Sequence, residues 1–410
     1  LLLDDLRVRN MELRAEARRT EADGFIQGSG TLGVDELDLP ALSVRRVDMD
    51  ATLESGEDLK VTASVVMDDA RDGSLSAQIP LAPTPLAVLL ERLEFRADQD
   101  RWTLARPARI ELFDGIGIDS LELASGDQGI LARGRAGTQG PLDLRVEVRA
   151  FRMETVADMV GLPRLRGPLN GVLALGGTGE APLLDATFSG QLQPSGAQPS
   201  EITLTAGFAD GTMELEGVVM AEGARGARVV ATLPVDFSLA SGFGGLTDGK
   251  PVLLEAAADS LSLEWVGLFL PSDVARGLQG MLHGTVKVEG NPESPRFAGS
   301  LELSGGSVRL PALGVEYRRG EARLRFLDDR VLLDSFRIRS GGGSLVASGA
   351  VALPRLDQPE YTVSVTADGF HAIRTSGIDA TASGELDLSG TGFQLAVAGG
   401  IELERSEVQI

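Results

Sequence analysis

Apolar and polar residues alternate with a period of two through long parts of the chain. Leu142, Leu144, Val146 and Val148 alternate with Asp143, Arg145, Glu147 and Arg149, and Ala322, Leu324 and Phe326 alternate with Glu321, Arg323 and Arg325. Successive side chains of a strand point to opposite faces, so each run puts one face in an apolar environment and the other in water. Buried parallel sheets read as unbroken apolar runs; this pattern predicts antiparallel sheet with one wet face. A few stretches depart from it. Thr84 and Pro85 supply a cap and a first-turn proline, and Leu86, Leu89, Leu90 and Leu93 then share one helical face, which predicts a short helix over 84–94. Met153–Val160 and Leu263–Leu270 are weaker helix candidates. Each reads as a plug or cap on the sheet rather than a partner-binding helix.

The strands recur in blocks. Gly167, Gly171, Gly177 and Pro182 align with Gly280, Gly284, Gly290 and Pro295 at a constant offset of 113. Leu169, Leu173 and Leu175 match Leu282, Val286 and Val288 in the same frame. A further copy at offset 100 aligns Gly384, Gly390 and Gly399 with Gly284, Gly290 and Gly299, with Ala380 in place of its first glycine and no proline. Leu121, Leu123, Ser125, Gly126 and Gly134 align with Phe336, Ile338, Ser340, Gly341 and Gly349 at offset 215. These offsets divide the chain into a divergent β region (1–120, with the helix near 84–94), modules at 121–250 and 251–358, and the start of a further module at 359–410.

Composition agrees with many reversals and an aliphatic core: 51 glycines, 4% aromatic residues and 43% hydrophobic residues in 410. The net charge of −22 gives an acidic surface that repels nucleic acid and anionic lipid headgroups, so neither is expected as an electrostatically bound partner. With no cysteine there are no disulfides, thiolate metal sites or cysteine nucleophiles. No apolar run approaches the length needed to cross a bilayer as a helix.

Motifs of chemistry do not survive their context. Gly28-Ser29-Gly30-Thr31-Leu32-Gly33 has the dinucleotide spacing, but an alternating, strand-like run follows instead of a helix. His283 and His371 lack companions for a metal site and read as surface or turn residues. Asp68-Asp69 and Asp328-Asp329 fall where turns are expected. We expect no catalytic residue, no metal, no cofactor and no enzymatic activity.

The pattern carried by Val286, Val288, Gly290, Pro295, Phe297, Gly299, Leu301, Leu303, Gly306, Val308, Pro311, Leu313 and Gly314, with the run GGGSLVASGAVALP (Gly341–Pro354), resembles the TamB family, relatives of the AsmA-like proteins. The likeness is clearest over 260–410 and fainter over 120–190. It resembles the portion leading up to the family's C-terminal domain, which is expected to lie outside this chain. The resemblance implies an all-β, elongated, repetitive antiparallel sheet curled into an open groove (taco-like), with a few short helices. It also implies a bridge across the periplasm of a Gram-negative-type envelope, held to the inner membrane by a segment outside this chain.

On that reading the groove passes phospholipids from inner to outer membrane by shielding their acyl chains. About thirty strands at ~4.8 Å each would give ~140 Å of sheet. Candidate lining residues are Leu142, Leu144, Val146, Val148, Ala322, Leu324, Phe326, Val363 and Val365. Further partners implied are a BamA-like outer-membrane protein and unfolded outer-membrane proteins, for which the chain would act as scaffold or chaperone. The alternation itself fits equally a closed β-sandwich or a structural β-solenoid of the cell surface, whose apolar faces meet each other. The module is much longer than the ~20-residue period usual for solenoids.

Overall fold

In a computed structural model the chain is almost entirely strand. The structure describes residues 7–19, 26–39, 42–53, 57–68, 70–81, 86–97, 99–112, 115–155, 157, 165–221, 224–247, 249–271, 273–291, 293–353, 358–392 and 394–408. It divides into two units. The first comprises Leu1–Thr155, Pro168–Ala186 and Ser238–Gly242; the second comprises Val156–Gly167, Thr187–Phe237 and Phe243–Ile410.

The first seven strands are β1 (Arg7–Arg19), β2 (Ile26–Leu39), β3 (Leu42–Leu53), β4 (Asp58–Val66), β5 (Arg71–Pro80), β6 (Leu86–Ala97) and β7 (Asp100–Leu104). They are followed by β8 (Ala108–Leu112), β9 (Ile116–Ser125), β10 (Gln128–Ala136), β11 (Arg145–Arg152), β12 (Leu165–Arg166), β13 (Pro168–Gly177) and β14 (Pro182–Pro194). Next come β15 (Ser200–Ala209), β16 (Thr212–Ala221), β17 (Ala224–Ser238), β18 (Gly242–Leu246), β19 (Val252–Ser262), β20 (Arg276–Asn291) and β21 (Ser294–Leu310). The last are β22 (Val315–Asp328), β23 (Arg330–Ser340), β24 (Gly343–Ala352), β25 (Glu360–Arg374), β26 (Ile378–Thr391) and β27 (Gln394–Val408).

In the first unit the ladder runs β1 to β6 in chain order. The short strands β7 and β8 both sit between β6 and β9, and β10, β11 and β13 follow. In the second unit β15, β16, β17 and β19 lead into an uninterrupted series to β27. All these pairings are antiparallel. Eleven steps of ~4.8 Å make that second ladder about 53 Å across its strands.

One helical expectation is corrected. Thr84 and Pro85 lie outside the described residues, but Leu86–Ala97 is strand β6. The leucine spacing comes from a bulge: Ser76 pairs with Arg92 and Ala77 with Leu90, so Glu91 is the extra residue. Leu86, Val88 and Leu90 face one side before it, and Leu93 and Phe95 face the same side after it. A one-residue bulge converts a step of two into a step of three, which imitates helical spacing. Of Met153–Val160, a single 3₁₀ turn at Met153–Thr155 is described, and residues 156 and 158–160 lie outside the described residues. Leu263–Gly267 is a short α-helix, α1, followed by turns through Leu270.

The repeat has a structural meaning at its glycines. Gly284 and Gly299 adopt φ of +128° and +122° inside strands, and their counterparts Gly384 and Gly399 adopt +147° and +122°. A Cβ on Gly284 would stand 2.0 Å from the Ser300 carbonyl oxygen, and one on Gly299 2.1 Å from that of Thr285. Register repeats with them: Gly284 opposes Leu301 and Val286 opposes Gly299, as Gly384 opposes Ile401 and Leu386 opposes Gly399. At offset 215 the agreement extends to packing, since Leu123 and Ile338 are both buried, as are Ser125 and Ser340.

Candidate functional site

Residues directly opposed in register share a face, so the ladders can be read as rows across the strands. In the second unit one row reads Leu204, Gly217, Val229, Ala256, Val286, Gly299, Phe326, Val331, Val351, Tyr361, Gly390 and Leu395. The next reads Ile202, Val219, Ala227, Ala258, Gly284, Leu301, Leu324, Leu333, Gly349, Val363, Leu388 and Val397. Twelve strands thus contribute to each row without one polar side chain except the Tyr361 hydroxyl. A third row runs Leu282, Leu303, Ala322, Phe336, Ala347, Val365, Leu386 and Gly399. Rows on the other face are polar, as in Thr285, Ser300, Arg325 and in His283, Glu302, Arg323, Ser335.

The first unit is built alike. Met11, Val34, Val47, Val65, Gly73, Phe95 and Trp102 form one row, and Leu13, Leu32, Met49, Ala63, Leu75 and Leu93 the next. Trp102 is 1% exposed and lies between Phe95 and Phe151, with ring centroids 6.0 and 5.7 Å away.

Register assigns the candidate lining residues to rows as follows. Leu324 and Val363 lie in one row, Ala322 and Val365 in the next, and Phe326 in the first; all five are half-buried. In the first unit Val146 aligns with Leu173, Ala132 and Leu121, and Val148 with Gly171, Ile130 and Leu123. Val146, Val148 and Leu144 are half-buried, whereas Leu142 is fully buried at 5%. Leu301, Leu333, Leu388, Val397 and Tyr361 also belong to these rows and were missed, although the same alternation marks their strands.

Among the described residues these faces are most exposed at the edge strands. Met11 and Leu13 on β1 are 68% and 67% exposed, and Leu395 and Leu403 on β27 are 58% and 60% exposed. Burial concentrates instead at strand ends. Val315, Tyr317, Ile338 and Phe370 pack together under Val308, Leu310, Leu313, Phe336 and Leu345, with Tyr317 and Phe370 stacked at 5.4 Å. The turn between β21 and β22 reaches across to β25: the Arg374 amide donates to the Leu313 carbonyl at 2.8 Å, and the Tyr317 hydroxyl to that of Ala372 at 2.8 Å. The apolar face of this unit is therefore walled at one end of its strands.

Residues 334–410 match the family model described as the TamB C-terminal domain. Over those residues the chain is similar to the TamB family. No curated protein and no solved structure matches it. The match corrects one expectation, because the segment resembling that C-terminal domain lies within this chain, from within β23 to β27, and takes in Ile338 and Phe370 of the wall but not Val315 or Tyr317. TamB proteins form a family of transport and assembly that acts in outer-membrane biogenesis or assembly, in the periplasm and at membranes. Among the described residues, no helix of this chain is long and apolar enough to cross a membrane.

The remaining motifs resolve into structure. The Gly28–Gly33 run lies within strand β2, with no helix to receive a phosphate. Both histidines are in strands rather than turns: His283 is exposed on β20, and His371 on β25 sits 2.8 Å from Asp379. The Asp68 carboxylate accepts from the Arg71 guanidinium and, to a lesser extent, from the Ala70 amide, and these bonds hold its pKa below the usual carboxylate range; Asp69 lies outside the described residues. Asp328 takes a φ of +50° at the β22–β23 turn. Among the described residues no group of three or more acidic, histidine or cysteine side chains converges as a metal site would require.

Proposed function

We propose that this chain is a periplasmic segment of a lipid bridge, held to the inner membrane by a segment outside it, whose apolar face shields phospholipid acyl chains on their way to the outer membrane. The observation that carries the reading is the pair of twelve-strand apolar rows, half-exposed and unbroken by any polar group that would hold a ligand in one place. Apolar surface of this extent is a liability in water unless something covers it. An acyl chain suits such a surface because no position along the rows binds it much more tightly than the next.

The test is native mass spectrometry with lipid extraction on the chain purified from the periplasm. Several phospholipids per chain are expected, and Leu324→Asp should deplete them while conservative swaps in the same row should not. A lipid-free, monodisperse protein would overturn the reading.

A second reading, in which unfolded outer-membrane proteins or a BamA-like partner add a strand to the sheet, draws support from β27, which pairs only with β26 among the described residues. Crosslinks from β27 to polypeptide, with none to lipid, would favour it.

A further inference from the structure

The second unit carries a patch whose charge runs against the rest of the chain. On the polar face at the walled strand ends, Arg276 directly opposes Arg309, and Arg318 directly opposes Arg339. Arg337 and Arg319 adjoin them, and all six guanidinium groups belong to exposed residues. Like charges set directly opposite each other in a ladder are destabilising. The acids Glu316 and Glu321 do not pair with all of Arg309, Arg318, Arg319, Arg337 and Arg339. Glu316 is shared between Arg318 at 2.8 Å and Arg309 at 3.6 Å, and this pairing holds its pKa below the usual carboxylate range. Glu321 stands opposite Arg337 in register, yet Arg319, Arg337 and Arg339 form no ion pair among the described residues. In a chain of net charge −22, three arginines without an ion pair, beside two more that share the single Glu316, call for an external anion.

The platform beneath them is rigid. Ile338, between Arg337 and Arg339, is 8% exposed, and Tyr317, beside Arg318, is 6% exposed; both belong to the wall packed on the apolar side. Adjacent strands set the arginines on a grid with a step of ~4.8 Å, so they form a two-dimensional array and not a line. Guanidinium groups bind phosphate in bidentate fashion with little reorganisation. A planar array of phosphates matches this grid better than one extended acidic peptide does.

We propose that this arginine grid is a docking surface for the phosphate headgroups of an anionic bilayer. It places the membrane beside the walled end of the apolar face. The choice of a bilayer as occupant rests on the acyl-chain reading above. The acidic remainder of the chain does not forbid it, since charges more than ~8 Å away are largely screened at physiological ionic strength.

The test is co-sedimentation of the full chain with vesicles of phosphatidylcholine alone or mixed with phosphatidylglycerol. Binding is expected only with phosphatidylglycerol and should weaken as salt rises. Arg337→Gln with Arg339→Gln should reduce it about 25-fold, at roughly fivefold per arginine near an anionic surface. Arg296→Gln with Arg330→Gln, outside the grid, should leave it unchanged. Because Arg339→Gln also relieves the opposition to Arg318, the grid variant should unfold no more easily than the parent, which separates lost docking from lost folding. Equal binding to both vesicles, full binding by the grid variant, or binding of an acidic peptide or inorganic phosphate without vesicle binding would overturn the proposal. Leu324→Asp separates the two readings: loss of co-purified lipid with vesicle docking intact is a groove effect, whereas lost docking with lipid retained is a grid effect.

Discussion

Gly299→Ala is the most discriminating single substitution in the second unit, because the same row offers its own control. Gly299 sits at φ +122°, and an added Cβ would lie 2.1 Å from the Thr285 oxygen and 2.9 Å from its carbon. A tolerable contact begins near 3 Å, so β20 and β21 would have to separate by roughly 1 Å, enough to break a ladder hydrogen bond. Holding alanine in this backbone region costs about 1–3 kcal/mol. Losing one bond and leaving its partners without a substitute adds about 1–2 kcal/mol. The expected loss is therefore about 2–5 kcal/mol. Gly217 lies in the same apolar row on β16, where the nearest atom to an added Cβ is Leu204 Cδ1 at 3.9 Å. There alanine meets no obstruction, and its smaller unfolded-state entropy should stabilise by up to about 1 kcal/mol.

A long ladder need not unfold as one unit, so a single melting temperature is the wrong readout. Hydrogen exchange resolved by strand is the right one. Gly299→Ala should lower protection of β20 and β21 by at least about 30-fold, taking tenfold for every 1.4 kcal/mol. Gly217→Ala should leave or slightly raise the protection of β16. If the two alanines gave protection factors within about twofold of the parent, the glycine repeat would not be a steric requirement of the register.

Phe370→Ala should open the wall at a cost of about 3–5 kcal/mol, seen as local exchange across β22 to β25, while Tyr317→Phe, which removes only the bond to Ala372, should cost about 1 kcal/mol. Asp334 has its pKa lowered, chiefly by the hydrogen bond from Arg325, with Oδ2 and Oδ1 at 2.5 and 2.7 Å from the guanidinium. A carboxylate depressed in the folded state contributes above its unfolded pKa of ~3.9 and loses that contribution as pH falls through the folded value. NMR titration of Asp334 should therefore show a midpoint below that of a free aspartate at low salt, and Arg325→Gln should raise it.

Strand content and facing were legible because alternation is a local signal: the rows through Leu324 and Val363 join residues that the period-two reading had already put on one face. The bulges were not legible. Glu91 shows why, since one residue inserted in β6 changes the leucine spacing from strand-like to helix-like, and nothing in the strand itself reveals the pairing of Ser76 with Arg92 that identifies it. Leu142 was read as lining by the same alternation, yet it is fully buried at the start of its strand run. The arginine grid was invisible for a related reason. Arg276, Arg309, Arg318 and Arg339 are scattered among acids in the sequence, and only register makes two of these pairs like-charged.

The glycines and the apolar rows depend on each other. A sheet that must keep one face apolar over a dozen strands needs its strands to bend at matching points, or the row would drift out of line from one hairpin to the next. Gly284 and Gly299 supply matched positive-φ positions on paired strands, and Gly384 and Gly399 repeat them one hundred residues later with the same partners. Side chains fill in around the glycines. Tyr361 lies across from Gly390 and hydrogen-bonds the Gln394 carbonyl at 2.6 Å, and a Cβ at Gly390 would meet its hydroxyl oxygen at 2.6 Å. Phe326, in the same row, lies across from Gly299 in an earlier hairpin. The aromatic residues, scarce at 4% of the chain, appear in this row where the backbone offers no side chain of its own. Continuity of the surface, rather than affinity at any point on it, is the property these placements maintain, and substitutions that displace a strand should therefore do more harm than substitutions that merely change one aliphatic side chain for another.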